Sequence, residues 1–277
     1  MSAAILPKSQ YEFAFKPKDF ERVRRFIYQK AGIHLAQSKD SMVYSRLARR
    51  IRALNLTSFD AYLKYLQSTP EEEQAFINAL TTNLTAFYRE PHHFRELAVF
   101  LRTHKRPLTI WCAASSSGEE PYSIAMTVVE TLGRFDVPVS IIASDIDSNV
   151  LNFARAGVYP ADITKKLTPA QCKQFLYRGK GRHKGKVKVV DELKQLVSFR
   201  QINLTDAEWP IRGPIDIIFC RNVMIYFDRK TQLSILKKMV QLMPSDGLYV
   251  AGHSENFNSE PDIVKPLGKT TYRPVKG

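Results

Sequence analysis

The sequence predicts an α/β domain with a mostly parallel sheet, preceded by a small domain made only of helices. The first observation is a short apolar run, Leu108–Cys112, which is typical of a buried strand. Six small residues and then a helical pattern follow it, with Pro121 where the first turn of a helix tolerates proline. The second observation is that residues 17–80 show helical patterns and no convincing strand. Strand, tight turn and helix together are typical of the first unit of a nucleotide- or nucleoside-binding domain.

The turn after this strand indicates the class of ligand. It lacks the three spaced glycines of a dinucleotide site and the lysine of a phosphate-binding loop. Glu119 and Glu120 stand at the start of the helix, where carboxylates would repel a pyrophosphate. A nucleoside that carries positive charge fits better, and S-adenosylmethionine is such a compound. The alternative is that the small residues only allow the helix to pack closely on the strand.

Length and composition narrow the class of protein. The 277 residues suffice for one large domain and a smaller one, and no apolar run approaches the roughly 20 residues of a membrane span. The first ten residues lack the apolar core of a secretory signal. Cys112, Cys172 and Cys220 are far apart, and His92 and His93 lack a carboxylate or cysteine at metal-ligand spacing. We therefore expect a reduced, cytoplasmic protein without a metal site.

Positive charge is concentrated in two stretches of the chain. The formal net charge is +14; residues 20–52 hold nine Lys and Arg against two acidic residues, and residues 178–200 hold eight against two. Arg46, Arg49 and Arg50 cluster beside the apolar face of a predicted helix. Such patches bind nucleic acid or acidic protein surfaces, or form an ordinary solvated face.

Four helices are predicted in the front section from apolar spacing and end signals. They run from about Asp19 to a stop at Gly32, from Ser41 to Leu54, from Ser58 to Gln67 and from Glu71 to Leu80. The fourth has three glutamates in its first turn, where the helix dipole favours them.

The next segment, Thr81–Phe94, alternates polar groups with apolar anchors. Asn83, Thr85 and Arg89 are its main polar residues. A segment that clamps a ligand has this pattern, because the anchors fix it while Arg89 points at a negative group. An ordinary interdomain segment is the alternative.

A second buried strand, Val139–Ser144, ends in Asp145. A carboxylate at this place, about two dozen residues past the turn, is able to accept hydrogen bonds from ribose hydroxyls. Asp147 fits the N-cap of a helix at Asn149–Ala156 better, which leaves Asp145 for the ligand.

The region after this helix changes composition. Residues Tyr159–Tyr177 are expected to be helical, and the basic, glycine-containing stretch Arg178–Lys188 runs into a strand-like VKVV. Leu196–Ile202 is the expected partner strand, so that a small hairpin or sheet would be inserted in the main domain. Its basic edge would accept an extended acidic peptide by strand addition. A flexible loop is the alternative.

A third buried strand, Pro214–Cys220, precedes a group of functional candidates. Substrates sit at the carboxyl ends of such strands, where Asn222 is able to satisfy a ligand amine or carboxylate and Tyr226 to reach a reacting group. A helix over Thr231–Met243 and a strand over Leu248–Ala251 follow.

These pieces together resemble the CheR-type chemotaxis receptor methyltransferases, which modify glutamate side chains. The match covers about residues 15–275, and its joint motifs are specific. They are NLTAFYRE at Asn83–Glu90, SSSGEEPYSIAM at Ser115–Met126, ASDID at Ala143–Asp147, FCRNVMIYFD at Phe219–Asp228, GHSE at Gly252–Glu255 and the basic helix near Arg46.

The resemblance implies a class I S-adenosylmethionine-dependent methyltransferase fold, Rossmann-like, with an N-terminal all-helical domain and a small inserted antiparallel β-subdomain. The expected domains are residues 1–80, a donor-clamping linker at 81–100, and a methyltransferase domain at 101–277 with the insert at about 178–200. It implies transfer of a methyl group from S-adenosylmethionine, leaving S-adenosylhomocysteine, to glutamates on the cytoplasmic helices of chemoreceptors.

The resemblance also implies roles for individual residues. Arg89 and Tyr226 match positions associated with the transfer step, and Arg46, Arg49 and Arg50 match the basic helix that faces the receptor. The implied donor-binding residues are Asn83, Thr85, Arg89, Glu120, Asp145, Asn203, Leu204, Arg221 and Asn222. A C-terminal receptor peptide is a possible ligand of the β-subdomain; nucleic acid and membrane insertion are not expected, and the expected state is a monomer.

Two other functions compete with this interpretation. A nucleic-acid methyltransferase would fit the net charge. Such an enzyme is expected to have a base-stacking, proline-rich NPPY-like run where this chain has RNVMIYFD. A degenerate donor-binding module that acts only as an adaptor on acidic helices is the non-enzymatic alternative. The presence of Asn83, Arg89, Asp145, Asn222 and Tyr226 argues against it.

Overall fold

The structure, a computed structural model, describes residues 11–276. The chain forms two units: residues up to Thr82 with Tyr226–Asp228 make the helical unit, and Asn83–Ile225 with the chain from Arg229 onward make the sheet unit. The expectation about a secretory signal falls on the first ten residues and lies outside the described part. None of the helices in the described part combines the length and apolar character needed to cross a bilayer.

The described part of the helical unit contains the four α-helices that the sequence predicts. They are α1 (Pro17–Ala31), α2 (Asp40–Ala53), α3 (Phe59–Ser68) and α4 (Pro70–Leu80). Their ends follow local chemistry: Gly32 ends α1 with φ +67°, which suits glycine, and the Ser58 hydroxyl caps α3 by accepting from the Ala61 N–H.

The predicted apolar stripes form the core of this unit. Phe20, Val23 and Ile27 of α1 and Val43 and Leu47 of α2 are buried. Side chains of this size each contribute about 1.5–3 kcal/mol when fully buried. Because the apolar faces pack inward, the arginines of α2 lie beside the core rather than in it.

Arg46 of α2 binds the end of a neighbouring helix. Its guanidinium donates to the main-chain oxygens of Leu80, at 2.9 Å, and Thr81, at 2.5 Å. The last carbonyls of α4 have no partners within the helix and carry its negative dipole end, so a cation is favourable there. Arg46 therefore joins α2 to α4.

Arg50 pairs with a buried carboxylate. Its Nε donates to Glu72 Oε1 at 2.9 Å, and the Tyr62 hydroxyl donates to the same oxygen at 2.9 Å, while the Glu72 side chain is only 5% exposed. Arg49, one residue away, is exposed. The three clustered arginines thus have different surroundings, which the sequence did not distinguish.

The sheet unit contains a seven-stranded sheet flanked by helices. The strands are β1 (Leu108–Cys112), β2 (Val139–Asp145), β6 (Val197–Gln201), β7 (Ile217–Cys220), β8 (Leu248–Ala251), β9 (Val264–Gly268) and β10 (Thr271–Pro274). Their order is β6-β2-β1-β7-β8-β10-β9, parallel from β6 to β8, with β10 antiparallel to both of its neighbours. The helices are α5 (His92–Thr103), α6 (Glu119–Leu132), α7 (Ser148–Ala156), α8 (Pro169–Phe175), α9 (Asp191–Gln195) and α10 (Arg229–Leu242).

A separate three-stranded antiparallel sheet confirms the predicted β insertion but corrects its composition. Its order is β3 (Val158–Pro160), β5 (Lys186–Val189) and β4 (Leu176–Arg178). The prediction that Leu196–Ile202 pairs within this insertion is wrong, because β6 pairs with β2 in the large sheet. As an edge strand with alternating exposure, β6 has the sequence pattern of a hairpin strand, and periodicity does not name its partner.

One further element differs from the sequence predictions, and one helix was not predicted. The helix expected over Tyr159–Tyr177 is reduced to α8, with Tyr159 in strand β3, although the predicted start at Thr168 is confirmed by a capping box. The segment expected to be a linker up to residue 100 contains α5. Its Phe94 and Leu97 are buried in the core of the sheet unit.

Removal of the Arg50 guanidinium should destabilise the helical unit more than removal of its exposed neighbour. We expect Arg50→Ala to lower the free energy of unfolding by about 2 kcal/mol, because the buried Glu72 carboxylate loses its cation. This is less than the loss for a fully buried pair, since Arg50 is partly exposed and solvent already screens the pair. Arg49→Ala, the matched control, should change it by less than about 0.5 kcal/mol. Urea denaturation of both variants measures this; equal effects would contradict the structural role of Arg50.

Candidate active site

Polar side chains converge where the parallel strands of the sheet unit end. Glu120 stands in the first turn of α6, directly after the turn that follows β1. Asp145 is the last residue of β2, and Arg221 and Asn222 follow β7. Because parallel strands have their carboxyl ends at one edge of the sheet, this is the expected place for a ligand.

The tight turn between β1 and α6 depends on Gly118. This residue has φ +99°, and a Cβ placed there would lie 2.7 Å from the Tyr159 hydroxyl and 2.8 Å from Cβ of Ala154. The structure is therefore compatible with both interpretations of the small residues. They allow close packing, because the turn is narrow, and they leave the start of α6 at the strand ends, where a ligand would bind.

Asp145 and Asp147 have different hydrogen-bond partners, and the predicted N-cap role of Asp147 is confirmed. Asp147 caps α7 by accepting from the Asn149 N–H at 2.9 Å, and its other oxygen accepts from the Asn83 side-chain amide at 2.8 Å. Asp145 is buried and accepts from the main-chain N–H of Ser116 at 2.8 Å. Burial raises the pKa of the Asp145 carboxyl to about 6.

Arg221 is the cation at the centre of the site. Its side chain is fully buried, and it forms ion pairs with Glu120 and, at 3.3 Å, with Glu90. It also donates to the main-chain oxygen of Arg89 at 2.6 Å. One guanidinium thus joins the end of β7, the start of α6 and the segment that precedes α5.

Glu90, which sequence reasoning did not single out, is a second centre of contacts. It accepts from the His253 main-chain N–H and ring Nδ1, both at 3.1 Å, and from the Asn222 amide at 3.4 Å. Burial alone would raise the pKa of Glu90, but Arg221, His253 and Asn222 together lower it to about 2. Glu90 is therefore ionised at neutral pH. In the sequence it was visible only as the last residue of the motif at Asn83–Glu90.

A carboxylate does lie beside His92 and His93, although the sequence was expected to place none at metal-ligand spacing. Possible ligand atoms of Glu90, His92 and His93 lie within 4.8 Å of one another, and His93 is buried. Burial and the Arg221 charge lower the pKa of His93 to about 4. The Glu90 carboxylate is already paired with Arg221, whose charge opposes a cation at this place.

Several residues at these strand ends have strained backbones. Tyr88, Glu90, Ser116 and Asn222 have φ between +48° and +58°, in the left-handed region that is unfavourable for residues other than glycine. Such residues cost about 1–3 kcal/mol each and persist only where the surrounding contacts hold them. Their clustering indicates that the groups of this site are fixed before a ligand arrives.

The remaining donor-binding candidates of the sheet unit differ in their exposure and contacts. Arg89 is partly exposed and donates to the Leu84 main-chain oxygen at 2.9 Å, and Thr85 is half-buried. Asn203 follows β6, and its side-chain oxygen accepts from the Thr205 N–H at 3.1 Å. Leu204 is buried.

The other predicted site residues belong to the helical unit. The Tyr226 main-chain oxygen accepts from the His34 N–H at 2.8 Å, and two residues later Asp228 accepts from the Tyr28 hydroxyl at 2.6 Å. Arg46, Arg49 and Arg50 lie on α2 of the same unit.

Comparison with known proteins places this architecture in a family. The model for the SAM-binding domain of CheR methyltransferases matches residues 83–273, and the model for the all-alpha CheR domain matches residues 18–81. The chain belongs to the CheR methyltransferase family. It is an S-adenosylmethionine-dependent methyltransferase, and the predicted class I fold, with its helical domain and antiparallel insert, is confirmed.

Relatives share nearly the whole chain. Chemotaxis protein methyltransferase 2 of Pseudomonas aeruginosa is 54% identical over 267 residues, which are 95% of each chain. The chemotaxis protein methyltransferase of Escherichia coli is 48% identical over 97% of this chain and 95% of its own. A third relative, chemotaxis protein methyltransferase 2 of Vibrio cholerae, is 36% identical over 96% of each chain.

Crowding at Gly118 should make this glycine harder to replace than another with similar backbone geometry. Gly133 ends α6 with φ +75° and has open space where a Cβ would lie. We expect Gly133→Ala to cost about 1 kcal/mol from backbone strain, and Gly118→Ala to cost at least about 3 kcal/mol, since strain and overpacking add. Thermal unfolding compares the two; equal shifts of Tm would mean that the turn relaxes freely.

Proposed function

We propose that this protein is a cytoplasmic protein-glutamate O-methyltransferase that modifies the signalling helices of chemoreceptors. The observation that carries the proposal is the group of Glu120, Asp145 and the buried Arg221 at the strand ends, in a chain matched by the CheR SAM-binding model over residues 83–273. The names of the relatives, chemotaxis protein methyltransferases, support the substrate class.

In this proposal the strand ends hold the donor. Asp145 accepts hydrogen bonds from the ribose hydroxyls, and Glu120 lies where its carboxylate attracts the positive charge of the compound. The other donor-binding residues in this proposal are Asn83, Thr85, Arg89, Asn203, Leu204, Arg221 and Asn222. The cluster is largely preformed by its own hydrogen bonds, so binding orders few side chains.

The protein's contribution to the reaction is orientation and exclusion of water. When bound, S-adenosylmethionine supplies a methyl group that is already activated by its sulfonium. Arg89 holds one oxygen of the substrate carboxylate, so that the other oxygen attacks in line. Tyr226, a residue of the helical unit, stays a predicted catalytic residue. The substrate glutamate stays ionised and loses part of its hydration.

Charge selects the protein substrate. We propose that α2 faces the acidic receptor helices, with the exposed Arg49 as its direct contact and Arg46 and Arg50 contributing charge while they hold α4. The edge strand β4, with exposed Tyr177 and Arg178, is the proposed site for an extended C-terminal receptor peptide. A working monomer and the predicted division at residues 80 and 100 stay predictions.

A methyl-transfer assay tests the function. Purified protein and radiolabelled S-adenosylmethionine are offered membranes that contain chemoreceptors, with receptor-free membranes, DNA and RNA in parallel. We expect base-labile label, as in a carboxyl methyl ester, only in the receptor bands. Label in nucleic acid would support the alternative of a nucleic-acid methyltransferase, and donor binding without transfer would support the adaptor.

Loss of Arg89 should reduce turnover without unfolding the protein. Arg89 is partly exposed, and its guanidinium bonds the local Leu84 oxygen, so Arg89→Ala should keep the fold. We expect kcat to fall about 100-fold, the effect of a misplaced reacting group, with partial recovery in Arg89→Lys. Arg102→Ala, at an exposed arginine of α5, is the control. Wild-type turnover in Arg89→Ala would remove this residue from the mechanism.

Protonation of Asp145 should weaken donor binding at acidic pH. With a pKa of about 6, this carboxyl is ionised at pH 7 and mostly neutral at pH 5, and a neutral group is the weaker acceptor. We expect the Kd of S-adenosylmethionine to rise about tenfold between pH 7 and pH 5. The free energy of unfolding, in contrast, should increase as the pH falls from 6 to 4. In this range the folded protein binds a proton at Asp145 more tightly than the unfolded chain does, because folding raises the pKa of this carboxyl.

Calorimetric titration across this range measures the effect. Asp145→Asn should bind the donor weakly with a flat pH profile, since the titrating group is gone. A flat profile in the wild type, or an unchanged slope in Asp145→Asn, would contradict the role of Asp145.

A further inference from the structure

A second buried carboxylate joins the ends of two central strands. Glu255 follows β8, is only 4% exposed, and accepts four main-chain hydrogen bonds. The donors are the N–H groups of Gly252 at 2.6 Å, Asn222 at 2.9 Å, Val223 at 2.8 Å and Met224 at 2.7 Å. Three of these four belong to the turn after β7, so the side chain holds that turn against the end of β8.

The turn that Glu255 holds contains a strained residue. Asn222 has φ +58°, and three successive N–H groups, from Asn222 to Met224, point at the one carboxylate. Converging N–H groups of this kind form an anion-binding concavity, and here the anion is supplied by the chain itself. The Asn222 backbone conformation is thus maintained by the hydrogen bonds that the Glu255 side chain accepts.

Gly252, directly after β8, also packs closely against Asn222. A Cβ on Gly252 would lie 2.5 Å from Asn222 Nδ2 and 2.8 Å from the Asn222 main-chain nitrogen. Both distances are shorter than real contacts allow, so any larger residue would push Asn222 away. Gly252 and Glu255 act on Asn222 by different means, one by leaving space and one by hydrogen bonds.

We propose that Glu255, with Gly252, is a positioning residue for methyl transfer, acting by fixing the Asn222 side chain in the donor site. The inference rests on the proposed function, in which Asn222 contacts the donor. It adds that the short Gly252–Glu255 segment sets donor affinity without touching the donor. The Asn222 amide reaches Glu90 Oε1 at 3.4 Å, which fixes the amide from its other end.

A double-mutant cycle tests this proposal with S-adenosylmethionine as the titrated ligand. Glu255→Gln keeps the side-chain size but turns amide hydrogens toward two of the main-chain donors, so the turn must shift. We expect the Kd to rise at least tenfold. In an Asn222→Ala background the same substitution should change the Kd less than twofold, because the group through which it acts is absent. Asp262→Asn, at an exposed acid farther along the chain, is the control and should bind as the wild type does.

Gly252→Ala, measured in the same two backgrounds, decides the question if Glu255→Gln does not fold. Glu255→Asp, which keeps both oxygens, should recover part of the affinity. Wild-type affinity in folded Glu255→Gln or Gly252→Ala would overturn the proposal. Equal losses with and without Asn222 would also overturn it, since they indicate a general structural effect. Absence of donor binding in the wild type itself would refute the proposed function, and the positioning role with it.

Discussion

The pairing of Arg221 with two carboxylates is the interaction on which the site depends. A guanidinium without exposed surface has lost its hydration, and such a charge is tolerated only where opposite charges and hydrogen-bond acceptors replace the water. Glu120 and Glu90 supply the charges, and the Arg89 carbonyl supplies a third acceptor. Since these partners come from α6 and from the segment before α5, those elements cannot move away from β7 without exposing an unpaired ion. Lysine would not serve as well, because it lacks the directed fork of donors.

The same interaction explains why strained residues are concentrated here. Glu90 adopts a left-handed backbone while its carboxylate receives Arg221, His253 and Asn222. These contacts within the protein offset the backbone strain, so that the strained conformation is present before any substrate binds. For a reaction in which the methyl group is already activated, accurate placement is the main task of the protein, and a rigid arrangement of charged and amide groups performs it.

The sequence predicted the local features of the fold better than its pairings. The unit from β1 to α6 was predictable because strand, turn and helix signals follow one another within 25 residues. The partner of β6 was not, because β2 lies more than 50 residues earlier and either pairing satisfies the same alternation. The start of α5 was not predicted, because Pro91 and the two histidines after it do not show the spacing of an apolar helix face.

Site residues show the same division. Asp145 and Asn222 stand directly after apolar strands, a position that predicts a ligand contact. The sequence displayed the charge of Arg50 but not its partner Glu72, which is 22 residues away. Glu255 was visible only as part of a motif, because its partners are main-chain N–H groups, which every residue except proline possesses and no pattern marks.

The chain enters and leaves the small antiparallel sheet at adjoining points, where the Val189 N–H donates to the Gly157 carbonyl at 2.9 Å. This sheet lies in the crossover between β2 and β6. Near its base, Lys194 donates to the Ala156 carbonyl at 3.4 Å. Because its two ends are held together, the small sheet is able to differ in length or in surface residues without changing the distance between these ends. Changes at the outer edge of the small sheet are therefore tolerated by the large sheet to which it is attached.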